Sequence, residues 1–231
     1  MTEIQKLIEP FEGAVPGCAV MVIQNGVPTI SETRGFADLE DSVAVTPDTN
    51  FRLASVSKHF TAAAILHLRK NKQLSLEDTL EHFFPQFPDY GKNITIGQLL
   101  THTSGLIDYE EVMDKSNTKQ IRDSEVLELL MRQDHGYFEP GSEFRYSNGG
   151  YCILAVIVEQ VSGQSLGSFL RLEFFVPLGM KNTFANEEGV TGIPNRAYGY
   201  SRKGDGWVRT DQDTTRATIG AGGLYSSLTH L

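Results

Sequence analysis

From Phe51 to Asn71 the chain reads FRLASVSKHFTAAAILHLRKN, a run free of glycine and proline. Phe60, Ala64 and Leu68, with Ala63, Ile65 and Leu66 beside them, recur there at helical spacing and predict a core helix. Any fold open to this chain has to pack around that helix, which holds its first turn still. That turn carries Ser55 and Lys58, three residues apart and so on one face. A serine hydroxyl is a weak nucleophile until a base takes its proton, and a lysine amine becomes such a base where burial or a second cation disfavours its charged form. A helix N-terminus favours the same chemistry. Its dipole opposes a cation, and its unpaired N–H groups can face an oxyanion, with the Ser55 amide as a candidate donor.

Spacing alone decides little, because Ser-x-x-Lys is expected about once by chance in a chain of ordinary composition. A second copy, Ser116 to Lys119, lies in the polar run MDKSNTKQIRDSE, has no apolar helix behind it and reads as solvated loop. Gly163-Gln164-Ser165-Leu166-Gly167 imitates the nucleophile elbow of α/β-hydrolases, but that elbow needs a strand before its serine and a helix after it. Here a helical run comes first. Gly163 is therefore expected as a C-cap and Ser165 as the N-cap of a helix over 166–174.

With 231 residues, 40% of them apolar, the chain can bury one core. A single domain over 1–231 is expected, with a helix and hairpin in 1–50, a mainly helical part in 51–200 and a return over 201–231. The 29 acidic and 20 basic residues give a net charge of −9, and no Lys/Arg cluster stands out, which excludes a nucleic-acid or anionic-membrane surface. A small-molecule or short-peptide substrate is the expected partner. The opening MTEIQKLIEP lacks the basic start and apolar core of an export signal, and no apolar run reaches spanning length, so a cytoplasmic, membrane-free protein is expected. Cys18 and Cys152 fall in apolar runs and read as free thiols packed like small hydrophobes. The six histidines form no His-x-x-x-His pair, so neither a metal nor another cofactor is expected.

Along the chain, Ile4, Leu7, Ile8 and Phe11 mark an amphipathic helix, and Asn25-Gly26 joins two strands, 18–24 and 27–34, as a hairpin. A lone hairpin is marginal in water, so it is expected to pair further or to lie under helices. Ser75 with Asp78, and Thr95 with Gln98, form capping-box patterns, and Gly105 is the expected C-cap of the second helix. Residues 106–120 read as a lid, a rim loop or a plain exposed connection. After a helix over 124–132, the turn-rich FEPGSEFRYSN delivers Tyr146 and Asn148 to the head of an apolar helix over 151–161. A phenol and an amide two residues apart can act together, Tyr146 as a proton shuttle and Asn148 as a donor to a substrate carbonyl or a partner of Lys58. The plain alternative is an Asn-Gly turn with Tyr146 as a wall residue.

Six segments together resemble the serine hydrolases of the β-lactamase and penicillin-binding-protein superfamily: PGCAVMV at 16–22, SVSK at 55–58, LLTHTSGL at 99–106, PGSEFRYSNGGY at 140–151, PLGM at 177–180 and GAGGLYSS at 220–227. Class C β-lactamases, family VIII esterases and D-amino-acid-specific peptidases are the branches the chain looks most like. The resemblance places the nucleophile on Ser55, the lysine on Lys58, and the tyrosine and asparagine on Tyr146 and Asn148. It implies an α/β (α+β) fold, a helical subdomain beside an antiparallel sheet with helices, and acyl-enzyme hydrolysis of an ester, amide or β-lactam carbonyl without a cofactor. Relatives carry a Lys-Thr-Gly or His-x-Gly triad on a later strand, and this sequence has none in that context; Lys203-Gly204 and His102-Thr103-Ser104 are misplaced for it. A C-terminally truncated domain, its last strands supplied by a completing segment if at all, is the corresponding expectation. The triad's strand supplies a second oxyanion donor, and losing such a donor costs about 3 kcal/mol of transition-state stabilisation. A catalytically impaired fragment, or a binding or sensing protein on the same scaffold, is the other reading.

Overall fold

The computed structural model describes residues 3–114, 116, 119–187, 192–210 and 217–231. Helix α1 (Glu3–Ile8) runs into a 3-10 turn, and only Ile8 of its apolar residues is buried, with Leu7 70% exposed. Strands β1 (Cys18–Gln24) and β2 (Val27–Arg34) pair as expected; Asn25 (φ 52°) and Gly26 (φ 78°) are both left-handed, which a tight two-residue hairpin requires. Strands β3 (Phe36–Asp38), β4 (Val43–Ala44) and β5 (Phe51–Arg52) lead to α2 (Ser57–Lys70). Then come α3 (Leu80–Phe83), α4 (Ile96–Leu100), α5 (Tyr109–Val112), α6 (Asp123–Met131), α7 (Asn148–Ser162) and α8 (Leu166–Leu170), the last continued by a π-helical turn to Phe175. Strands β6 (Phe184–Ala185), β7 (Tyr200–Lys203) and β8 (Gly206–Arg209), helix α9 (Ile219–Gly222) and strand β9 (Leu224–Ser226) complete the described order, ahead of a last 3-10 turn. The named strands pair antiparallel in four small sheets, β1–β2, β3–β4, β5–β9–β6 and β7–β8, so the fold is a helical part with antiparallel strands and flanking helices.

The centre of the core is α7 rather than the helix bearing Lys58. Its sequence is apolar on every side, and Cys152, Ile153, Leu154, Ala155, Ile157 and Val158 are all buried among α2, α4, α6 and α8. Each such Leu or Ile side chain contributes roughly 1.5–3 kcal/mol by leaving water. Helix α2 presents a narrower stripe of Thr61, Ala64, Ile65 and Leu68; Leu66, expected inward, is 48% exposed because it falls on the face of His59 and Lys70. Ser147 caps α7 by accepting from Gly150 N at 3.0 Å, which places Asn148 in the first helical turn rather than on the loop.

Several local expectations hold. Thr95 and Gln98 make both bonds of a capping box, Gly163 closes α7 at φ 70°, and Ser165 Oγ accepts from Ser168 N at 3.2 Å, which makes Ser165 a cap. Others change. Asp78 accepts from Ser75 N at 2.7 Å but starts no long helix, because the backbone of 78–81 bonds across to 92–96 (Leu80 N to Ile94 O 2.8 Å, Ile96 N to Asp78 O 3.0 Å). The left-handed residue directly past the α4 cap is His102 (φ 59°); Gly105 is left-handed too (φ 73°) but lies three residues further on, where a Cβ would come within 2.1 Å of Phe138 O. Residues 106–109 are fastened into the core by Leu106, Ile107 and Tyr109 rather than forming a free lid. In the second Ser-x-x-Lys copy, Ser116 and Lys119 are exposed, and the residues between them lie outside the described ones. Both cysteines are free, Cys152 buried and Cys18 half-buried. Among the described residues no single helix is long and apolar enough to cross a membrane.

Candidate active site

Ser55 stands on a 3-10 turn (Ala54–Val56) that precedes α2, where the sequence suggested the helix itself. The turn begins with Ala54 at φ 47°, a left-handed geometry that costs a non-glycine residue about 1–2 kcal/mol. Its neighbours hold it there: Leu53 N donates to Leu224 O at 2.8 Å, and Val56 N to Leu53 O at 3.1 Å. Ser55 is thereby raised to the surface while Lys58, one turn on, stays 6% exposed.

The four residues singled out from the sequence come together. The Lys58 ammonium donates to Ser55 Oγ at 3.3 Å, to Asn148 Oδ1 at 2.8 Å and to the Ala221 carbonyl at 2.8 Å, so its three N–H groups meet three acceptors. Tyr146 OH donates to Ser55 Oγ at 2.7 Å, and Lys58 Nζ lies 4.9 Å from the Tyr146 ring centre and 5.6 Å from that of Tyr151. Asn148 uses its amide to donate to Glu110 Oε1 at 3.3 Å, which fixes its oxygen toward the lysine. Glu110 had no signature in the sequence.

Nor did the backbone that holds Lys58. Segment 219–224 lies along the first turns of α2: Gly220 O accepts from Thr61 Oγ1 at 2.9 Å, Gly222 O from Arg52 Nε at 3.2 Å, and Leu224 N donates to Ser57 Oγ at 3.2 Å. Asp123, at the head of α6, anchors its start, with Oδ2 accepting from Ile219 N at 2.9 Å and Gly220 N at 3.2 Å. Burial pushes the Asp123 carboxyl up to about 7, against the pull of the Cys152 thiol and these two amides. Burial first, then Asp123, raises the Cys152 thiol well above its ordinary range. The run GAGG signals close packing, since a Cβ on Gly220 would meet Tyr151 O at 2.4 Å. Which side chain anchors that run cannot be read from spacing, because Asp123 lies far from it in the chain.

Of the two misplaced triad candidates, Lys203-Gly204 is the exposed tip of the β7–β8 hairpin, while His102 stands against Tyr146. Among the described residues no three His, Cys, Asp or Glu side chains gather as a metal ion would need. An exposed hydroxyl lies between an amine and a phenol, both braced from behind. Such an arrangement can pass a proton off the oxygen while that oxygen attacks a carbonyl.

The family model for beta-lactamase matches residues 4–231. This chain belongs to the beta-lactamase family. Within the beta-lactamase family it is 35% identical over 186 residues to Penicillin-binding protein 4* of Bacillus subtilis (strain 168), a match covering 78% of this chain and 41% of that protein. Its fold is similar to that of the D-amino acid amidase from Ochrobactrum anthropi SV3, with a TM-score of 0.80 and 27% identity over 92% of this chain and 61% of the amidase. EstCE1, a hydrolase with promiscuous acyltransferase activity, gives a TM-score of 0.76 at 26% identity over 97% of this chain and 68% of its own. The chain thus spans less than half the length of the Bacillus relative.

Proposed function

We propose that the chain acylates itself on Ser55 with an ester, amide or β-lactam carbonyl and releases the acyl group to water. The observation that carries this is the double hold on one oxygen, with Ser55 Oγ 2.7 Å from the Tyr146 hydroxyl and 3.3 Å from the Lys58 amine. With Lys58 and Tyr146 both donating, the pair is fully protonated, so the acylating form is the one short of a proton, a Tyr146 phenolate beside the Lys58 ammonium. As Oγ attacks the carbonyl carbon, its proton passes to that phenolate oxygen. The same pair returns that proton to the leaving group as the carbonyl re-forms, leaving an ester on Ser55. Water repeats the sequence in the second half. The shorter contact makes Tyr146 the immediate exchange partner, and Lys58 supplies positive charge beside it. Asn148, its oxygen committed to Lys58, sets the orientation of the amine, and the Ser55 N–H is the donor that faces the developing oxyanion. The amidase neighbour, and the hydrolase with promiscuous acyltransferase activity, support small amides and esters ahead of β-lactams as substrates.

Labelling with a fluorophosphonate, read as an intact-mass increase, tests the reading. One adduct per chain that disappears in Ser55→Ala is expected. A folded wild-type chain that stays unlabelled overturns the proposal. Rates on a p-nitrophenyl ester, a D-amino acid amide and a chromogenic cephalosporin then separate the three substrate classes.

A further inference from the structure

His102 has no place in the four-residue cluster, yet three consecutive residues of the tyrosine loop hang on it. Its carbonyl accepts from Arg145 N at 2.9 Å, its ring stacks on Tyr146 with centres 4.5 Å apart and planes at 30°, and its Nδ1 lies 3.1 Å from Ser147 N. Tyr151 backs the ring at 5.1 Å and Phe144 meets its edge at 6.1 Å. A backbone N–H only donates, so Nδ1 has to be the acceptor, which fixes a neutral ring with its proton on Nε2. The left-handed backbone at His102 (φ 59°) turns the carbonyl and the ring toward the same loop. Residues 141–146 are exposed; their other holds include Gly141 N to Thr103 O at 2.8 Å, Ser142 N to Glu139 O at 3.0 Å and the Arg145 guanidinium over the Tyr137 ring at 3.6 Å.

We propose that His102, in its neutral form, is the positioning residue that keeps Tyr146 against Ser55, and that protonating its ring releases 145–147 and switches the site off in acid. The proposal rests on the role assigned to Tyr146 above. A protonated Nδ1 would point a hydrogen at the Ser147 N–H, removing the acceptor and opposing two donors. Burial, and then the charge of Lys58, hold the His102 ring below its ordinary value of 6.5, so the clamp is neutral and intact at neutral pH. The sign follows: a lowered folded value gives a contribution fully present above the unfolded value and lost as pH falls through the folded one. Lys58 of α2 is the cation acting on the ring, the Tyr146 and Tyr151 phenols lie against it, and Arg145 directs its guanidinium to the Tyr137 ring and Glu111.

Two readouts on the full chain test this, one of chemistry and one of position. Long-range nitrogen–proton NMR of the imidazole is expected to show Nε2 protonated and Nδ1 bare, and amide exchange at 145–147, corrected for intrinsic rates, is expected to accelerate as the ring titrates. His102→Ala is expected to slow fluorophosphonate labelling of Ser55 about tenfold, the factor for one lost hydrogen bond. His102→Asn keeps an acceptor in place of Nδ1 and tolerates the left-handed backbone, so it is expected to restore most of the rate and to abolish the acid-side decline. An Nδ1-protonated tautomer, or exchange at 145–147 that ignores both pH and His102→Ala, overturns the clamp. A wild-type chain that does not label but shows the expected tautomer and exchange overturns the acylation reading and leaves the clamp standing.

Discussion

Ser55 is approached from two sides that are built differently. On the lysine side, Lys58 is 6% exposed and its two acceptors other than Ser55 are backed by the core: Asn148 heads the buried helix α7, and Ala221 belongs to the segment that Asp123 and Thr61 hold down. On the tyrosine side, Tyr146 is 47% exposed on a loop whose neighbour Phe144 is bare, and its ring and the amides on either side of it hang on His102. The contrast suits the roles proposed for the two groups. A buried charge is tolerable only with its hydrogen bonds already in place, so the amine needs a rigid cage. A phenol that exchanges a proton with substrate has to stay where substrate can reach it. Errors on the first side should therefore cost folding as well as rate, and errors on the second only rate.

Lys58→Ala gives the largest test of that contrast. It is expected to cut labelling of Ser55 by about 10³-fold, within the range for removing a general acid–base group, and to lower the melting temperature as well because three acceptors lose their donor. Tyr146→Phe should lose about 10²-fold in rate with an unchanged melting temperature. Equal thermal effects from the two variants would break the comparison. A smaller effect sharpens it from within the cage. Because the Asp123 carboxyl stands near 7 rather than 3.8, the folded chain keeps a proton that the unfolded chain releases. Its contribution to stability is full below the unfolded value and fades as pH rises through the folded one, by at most about 1.4 kcal/mol per pH unit. Asp123→Asn keeps an oxygen for Ile219 N and Gly220 N, so its melting temperature should lack that decline, with wild type and variant compared across the interval.

What was legible in the sequence was chemistry carried by side chains at short spacing. Ser55 and Lys58 are visible because three residues make a helical turn, the β1–β2 hairpin because Asn25-Gly26 suits a left-handed pair, and Ser165 as a cap because a helical run precedes it. Contacts made by backbone atoms were not legible. The Ala221 carbonyl that holds Lys58 has no residue-type signature, and the pairing of 78–81 with 92–96 overrode a sound capping pattern at Ser75. Asp123 and His102 were missed for a related reason. Each acts on a segment distant in the chain, through amides that any residue would present.

Ala54 bears on any effort to harden this protein. Glycine in its place would accept the same dihedral without penalty and would look, on thermal grounds, like an improvement. The methyl group, however, leaves that peptide few other conformations, and the direction in which the neighbouring hydroxyl points is inherited from it. A sturdier chain made by that exchange would carry a Ser55 hydroxyl free to look elsewhere.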